Sequence, residues 1–146
     1  MVQAEAKGMR NSLRVGNVNC WMGAFYVDAD SARPVELENS LGGMRHALGR
    51  EDVHVTLYSL GGRPVAVVCG RGAEGTPSLL AADGSPLVRG PVLLMGARDV
   101  GEGFELRSLT PAEDGLVRDC LRLTWMKVGG KECNAYCVRG AEPWGQ

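Results

Sequence analysis

The run Val53-His54-Val55-Thr56-Leu57-Tyr58-Ser59-Leu60-Gly61-Gly62-Arg63-Pro64-Val65-Ala66-Val67-Val68-Cys69-Gly70-Arg71-Gly72-Ala73-Glu74-Gly75 reads as a strand, a tight turn, a second strand and a glycine-rich loop. In its first part Val53, Val55, Leu57 and Ser59 alternate with His54, Thr56 and Tyr58. This period of two puts one strand face on a core and the other against something more polar. The paired glycines Gly61-Gly62 supply the positive φ that a two-residue hairpin turn demands. Pro64 to Cys69 is apolar on both faces, the pattern of a central strand covered on each side.

Working outward toward the N-terminus, Asn39 is placed to cap a short helix over about Ser40 to Leu48. Its apolar positions are Leu41, Met44, Ala47 and Leu48, and Gly49 is its stop. Gly42-Gly43 weakens that helix and lets another backbone come close. Before it, Asn19 to Val27 is rich in strand formers and ends in the turn cluster Asp28-Ala29-Asp30-Ser31. Pro34 to Leu37 returns beside it as a short strand. Residues 1–12 lack apolar periodicity and read as a flexible arm.

Toward the C-terminus, Thr76 to Ala82 reads as two helical turns stopped by Asp83-Gly84-Ser85-Pro86, and Pro91 to Ala97 forms a second hairpin with Phe104-Glu105-Leu106. Thr110-Pro111-Ala112-Glu113 carries every sign of a helix start: a hydroxyl cap, proline at the first position and a glutamate to close a capping box. Leu116, Val117, Cys120, Leu121 and Thr124 extend a stripe from it, and Gly129-Gly130 is read as its end. From Lys131 the chain is polar and irregular, with Tyr136 and Trp144 as anchors. The expected architecture is α+β: a single, mostly antiparallel sheet with a short helix and a longer C-terminal helix packed on one face. Residues 13–130 form the domain and 131–146 a tail.

Sixteen Lys plus Arg against seventeen Asp plus Glu in 146 residues leave a formal charge of −1, so nucleic acid is a disfavoured partner. No apolar run approaches the roughly 18 residues of a membrane span, and no signal segment opens the chain, which makes a cytoplasmic protein the expectation. Five scattered cysteines suit a reducing compartment.

Gly70-x-Gly72-x-x-Gly75 spells the dinucleotide fingerprint, but Asp83 to Pro86 cuts the following helix short, and no nicotinamide or flavin cofactor is expected. The same glycine amides beside Arg71 and Glu74 are suited to cradling an anion or a phosphate. His54, on the more polar face of its strand, and Arg89 complete the candidate ligand set of His54, Gly70, Arg71, Gly72, Glu74 and Arg89. Cys133-x-x-x-Cys137, with Cys120, His46 and His54, offers zinc donors in a spacing looser than that of structural zinc sites, and no metal is assigned. Cys69 ends a central strand, where a nucleophile can stand, although packing explains it as well. Glu36 and Glu38 read as a solvated strand face. Trp21, Tyr26, Tyr58, Trp125 and Trp144 exceed what a small aliphatic core requires, which favours contact with a host protein or a second copy in a homodimer.

Pro34-Val35-Glu36-Leu37-Glu38-Asn39-Ser40-Leu41 before the short helix, the strand ending at Cys69, Gly90-Pro91-Val92-Leu93, and Leu106-Arg107-Ser108-Leu109-Thr110 before the last helix form a pattern. This pattern resembles the family catalogued as domain of unknown function 3846, found in bacteria, mobile elements and phages. Gly49-Arg50-Glu51-Asp52 and Cys69 to Gly75 depart from it. The resemblance implies a mobile-element setting, where small proteins sequester a signalling molecule or bind a host factor. The expected function is therefore non-catalytic binding of a small phosphorylated ligand or a host protein, with an anti-defence role. The alternatives are a small hydrolase or transferase using Cys69 or the glycine-rich loop, and an interaction module with no small ligand.

Overall fold

The computed structural model describes residues 2–3, 13–15, 21–28, 30–71 and 76–144. Its elements are β1 (Val2–Gln3), β2 (Leu13–Val15), β3 (Trp21–Val27), β4 (Ala32–Glu38), α1 (Leu41–Leu48), β5 (Val53–Leu60), β6 (Arg63–Gly70), β7 (Pro77–Leu80) and β8 (Pro86–Arg89). They continue with β9 (Val92–Asp99), β10 (Phe104–Arg107), α2 (Pro111–Cys120), β11 (Leu121–Val128), β12 (Lys131–Val138) and β13 (Ala141–Pro143).

The protein is mostly β, and the expected single sheet with two helices on one face is replaced by two sheets, of nine and four strands, among the described residues. The larger runs β1-β2-β10-β9-β6-β5-β13. β3 joins the N-terminal half of β9, and β4 lies outside β3. The smaller runs β11-β12-β7-β8. Neighbours are antiparallel except β2 with β10 and β7 with β12. The helices lie on opposite faces of the larger sheet. Met44 and Leu48 of α1 join Met22, Val55, Val68, Leu93 and Met95 in one core. Val117 of α2 joins Phe25, Val67, Leu94 and, from the smaller sheet, Leu79, Val88 and Val138 in the other.

β6 is apolar on both sides because it has a core on both sides. Ala66 and Val68 enter the first, and Val65, Val67 and Cys69 the second. β5 and β6 pair in register from Val53↔Gly70 to Leu60↔Arg63 around Gly61 (φ 60°) and Gly62 (φ 81°), the hairpin expected of that sequence. The hairpin of β9 and β10 also forms, with Phe104 opposite Asp99 and Arg107 opposite Gly96.

Thr76 to Ala82 is not helical. Pro77, Ser78, Leu79 and Leu80 are all buried, so the segment has no polar face to turn outward, and it runs as β7 between β12 and β8. The largest correction concerns the last helix. α2 ends at Cys120 and the next residue, Leu121, is already extended (φ −81°, ψ 129°). Gly129 (φ 59°) and Gly130 (φ 83°) do not end a helix but turn a hairpin in which Leu121 faces Val138 and Val128 faces Lys131. The stretch from Lys131 expected to be irregular is its second strand. The hairpin wins because it satisfies its own backbone and lets Tyr136 and Cys137 pair with Leu79 and Leu80 of β7.

The capping box opening α2 is complete: the Glu113 amide donates to Thr110 Oγ1 at 3.1 Å and the Thr110 amide to Glu113 Oε1 at 3.0 Å. At α1 the cap is Ser40, which accepts from the Gly43 amide at 2.9 Å, while Asn39, expected in that role, is buried at the β4–α1 corner. Gly43 lies against the Glu38 backbone closely enough that a Cβ there collides with the carbonyl, the close approach read from the glycine pair. Of the N-terminal arm, residues 2–3 pair as β1 with β2, and the rest of 1–12 lies outside the described residues. No described helix is long and apolar enough to cross a membrane.

Candidate anion-binding site

His54 and Cys69 are cross-strand partners at the end of the β5–β6 hairpin, and both point away from α1 toward the smaller sheet. Cys69 Sγ stands 3.9 Å from His54 Nδ1. β8 crosses above them, and its Pro86, Leu87, Val88 and Arg89 close a cleft of about 250 Å³ over His54, Cys69 and Gly70. Three residues of the candidate ligand set, His54, Gly70 and Arg89, thus meet in one place although they come from both sheets. His54 is half-buried against β8 rather than on an open face, and Arg89 is exposed at the rim.

Behind Gly70, on the α1 face of the sheet and outside the cleft, lies a cation that sequence reasoning missed. The Arg50 guanidinium lies against its backbone, so a Cβ at Gly70 would come 2.8 Å from Arg50 Cζ and 3.0 Å from Nε. Arg50 belongs to the turn after α1, and nothing in its local sequence tells which strand end that turn will meet. Arg71 turns aside: its amide donates to the Asp52 carbonyl at 2.8 Å and its Nε sits 3.5 Å from Asp52 Oδ1. Gly72 and Glu74 lie outside the described residues.

The Cys69 thiol is not activated. Burial pushes the Cys69 thiol up from its ordinary range, and the Arg50 charge draws it back only in part. At neutral pH the sulfur keeps its proton and is a poor nucleophile. The chain leaving Gly70 leads to strand β7 rather than to a long helix, so the fingerprint geometry for a dinucleotide is not built.

The other candidates separate. Cys133 and Cys137 stand four residues apart on a strand, about 13 Å at 3.3 Å per residue, too far to share an ion. Cys137 Sγ instead donates to the Ala81 carbonyl at 3.1 Å. Among the described residues no group of three His, Cys, Asp or Glu side chains could hold a metal ion. Glu36 and Glu38 are exposed, as read. Of the aromatics, Trp21 (70% exposed) and Trp125 (61%) stand in solvent, while Trp144 docks edge-on against Phe104 with ring centres 5.8 Å apart.

No protein-family model, curated protein or solved structure matches the chain.

Proposed function

We propose that the chain is a non-catalytic binding protein that holds a small phosphate-bearing anion between the two sheets and withdraws it from solution in the service of a phage or other mobile element. One juxtaposition carries this reading: Arg89 from β8 and His54 from β5 line one cleft with the Gly70 backbone at the strand end. A guanidinium and an imidazole on a cleft of about 250 Å³ suit one phosphate or pyrophosphate group and not a dinucleotide. The resemblance of the strand and helix pattern supplies the mobile-element setting. The hydrolase or transferase reading is weaker because the thiol it needs is held protonated.

Calorimetric titration with inorganic phosphate, pyrophosphate and nucleoside monophosphates tests the proposal. At least one of these should bind, be recovered chemically unchanged after denaturation, and lose affinity about tenfold or more in Arg89→Gln, the worth of a charge-assisted hydrogen bond. Absence of binding across the panel, or turnover of the bound compound, sinks it.

A further inference from the structure

A second concave surface lies on the opposite side of the molecule, where α1 runs beside β4. Among the described residues β4 pairs with β3 alone, and no described strand takes its outer backbone edge. Beside that edge runs a groove of about 450 Å³ floored by Tyr26, Val35 and Leu37 and walled by the Gly42–Ala47 flank of α1, with Trp21 exposed at one end. An open strand edge flanking a half-apolar groove is the arrangement by which a sheet takes up an extended peptide. The backbone supplies hydrogen bonds, and alternate side chains drop into the groove.

The charge on the outward face of β4 selects the peptide, whose apolar residues would enter the groove and whose alternate residues would meet Glu36 and Glu38. Glu36 and Glu38 are exposed and make no ion pair among the described residues. Arg33, the one cation on β4, is exposed and lines the groove on the strand face of Val35 and Leu37, its guanidinium 4.4 Å from the centre of the Tyr26 ring. By strand alternation Glu36 and Glu38 belong to the other face, and that face of the edge is left acidic. Pro34 removes one amide from the ladder and shortens the pairing segment to the part of β4 that follows it. A second copy of this strand, paired about a two-fold axis within the segment after Pro34, would set the glutamates of the two edges against one another, so self-pairing is the poorer occupant.

We propose that the β4–α1 groove binds an extended segment of a partner protein in which lysine or arginine alternates with apolar residues, added as a strand to β4. This surface is separate from the anion cleft, and neither reading depends on the other.

The probes are three synthetic peptides: alternating valine and lysine, alternating valine and glutamate, and the lysine peptide with a central proline. The lysine peptide should protect β4 amides from hydrogen exchange. By fluorescence anisotropy it should bind about tenfold or more tightly than either control, and the double variant Glu36→Lys/Glu38→Lys should reverse the charge preference. With a net charge of only −1 on the whole chain, bulk attraction does not produce such a preference. Equal binding of the three peptides, or binding without protection of β4, overturns the proposal. So does a dimer in sedimentation equilibrium whose β4 amides are already protected without peptide.

Discussion

Gly70 is glycine because a neighbour's side chain, rather than its own backbone angles, requires it. Its φ lies outside the left-handed region, so alanine is conformationally acceptable there, and the obstacle is the movable tip of Arg50. Gly70→Ala is therefore expected to displace Arg50 yet leave the melting temperature within a few degrees of the parent, by calorimetry, and to leave anion binding within about twofold, because Arg50 stands behind the strand and outside the cleft. A tenfold loss of binding would bring Arg50 into the site. Gly43 is the contrasting case. Its missing Cβ leaves room for the Glu38 carbonyl, which is backbone and cannot swing away, so a side chain there disturbs the β4–α1 corner itself. Cys69 makes the same point about context: a strand-end thiol beside a histidine has the letters of a nucleophile, yet burial keeps the proton on it.

Among the elements, α2 is held by its first turn more than by its length. Glu113 is buried, accepts from Arg107 Nη1 and Nη2 at 2.8 and 2.9 Å, and stands 3.6 Å from Arg63 on β6 while closing the capping box. One carboxylate ties the helix start to two strands. Burial by itself raises its pKa, but the Arg107 hydrogen bonds and the Thr110 amide outweigh that, and the group ionises below its ordinary range. The fold therefore binds this proton less tightly than the unfolded chain does. The stabilisation is complete above the unfolded glutamate value of about 4.3 and is lost as pH falls through that value toward the lower folded one. Urea titrations should show Glu113→Ala costing about 3 kcal/mol at pH 7 and markedly less near pH 3. A cost independent of pH would mean that the charge is not what matters. The two double-glycine turns allow a matched comparison. Gly61 and Gly129 share a φ near 60°, but a Cβ at Gly61 would press on Leu116 of α2 at 3.1 Å, whereas at Gly129 it meets open space. Thermal melts should show Gly129→Ala losing about 1 kcal/mol from backbone strain alone and Gly61→Ala losing more.

At the scale of the whole molecule, β6 and β9 belong to both cores, since Val67 and Leu94 face one while Val68 and Leu93 face the other. Neither core can open without disturbing the strands of the other. Val67→Ala and Val68→Ala, each worth about 2 kcal/mol, should lower a single transition that coincides by circular dichroism and tryptophan fluorescence. Two resolved transitions would show that the layers fold separately. What the amino-acid order determined unaided were features closed within a few residues: the β5–β6 hairpin around Gly61-Gly62, the β9–β10 hairpin, and the capping box from Thr110 to Glu113. There the interacting groups are near neighbours along the chain, and the local geometry leaves one good answer. Tertiary structure alone decided the matters in which two local answers were comparably good. Gly129-Gly130 can stop a helix or turn a hairpin, and Pro77 to Leu80 can coil or extend. The choice fell to the hairpin and the strand because β7 and β12 pair with each other across a long stretch of chain. The same applies to the cleft. His54 and Gly70 were legible as one strand end, since a hairpin fixes their register, but Arg89 reaches it only because a second sheet packs there. Such placements depend on apolar burial between layers, which is proportional to area and indifferent to order along the chain, so no local pattern encodes them.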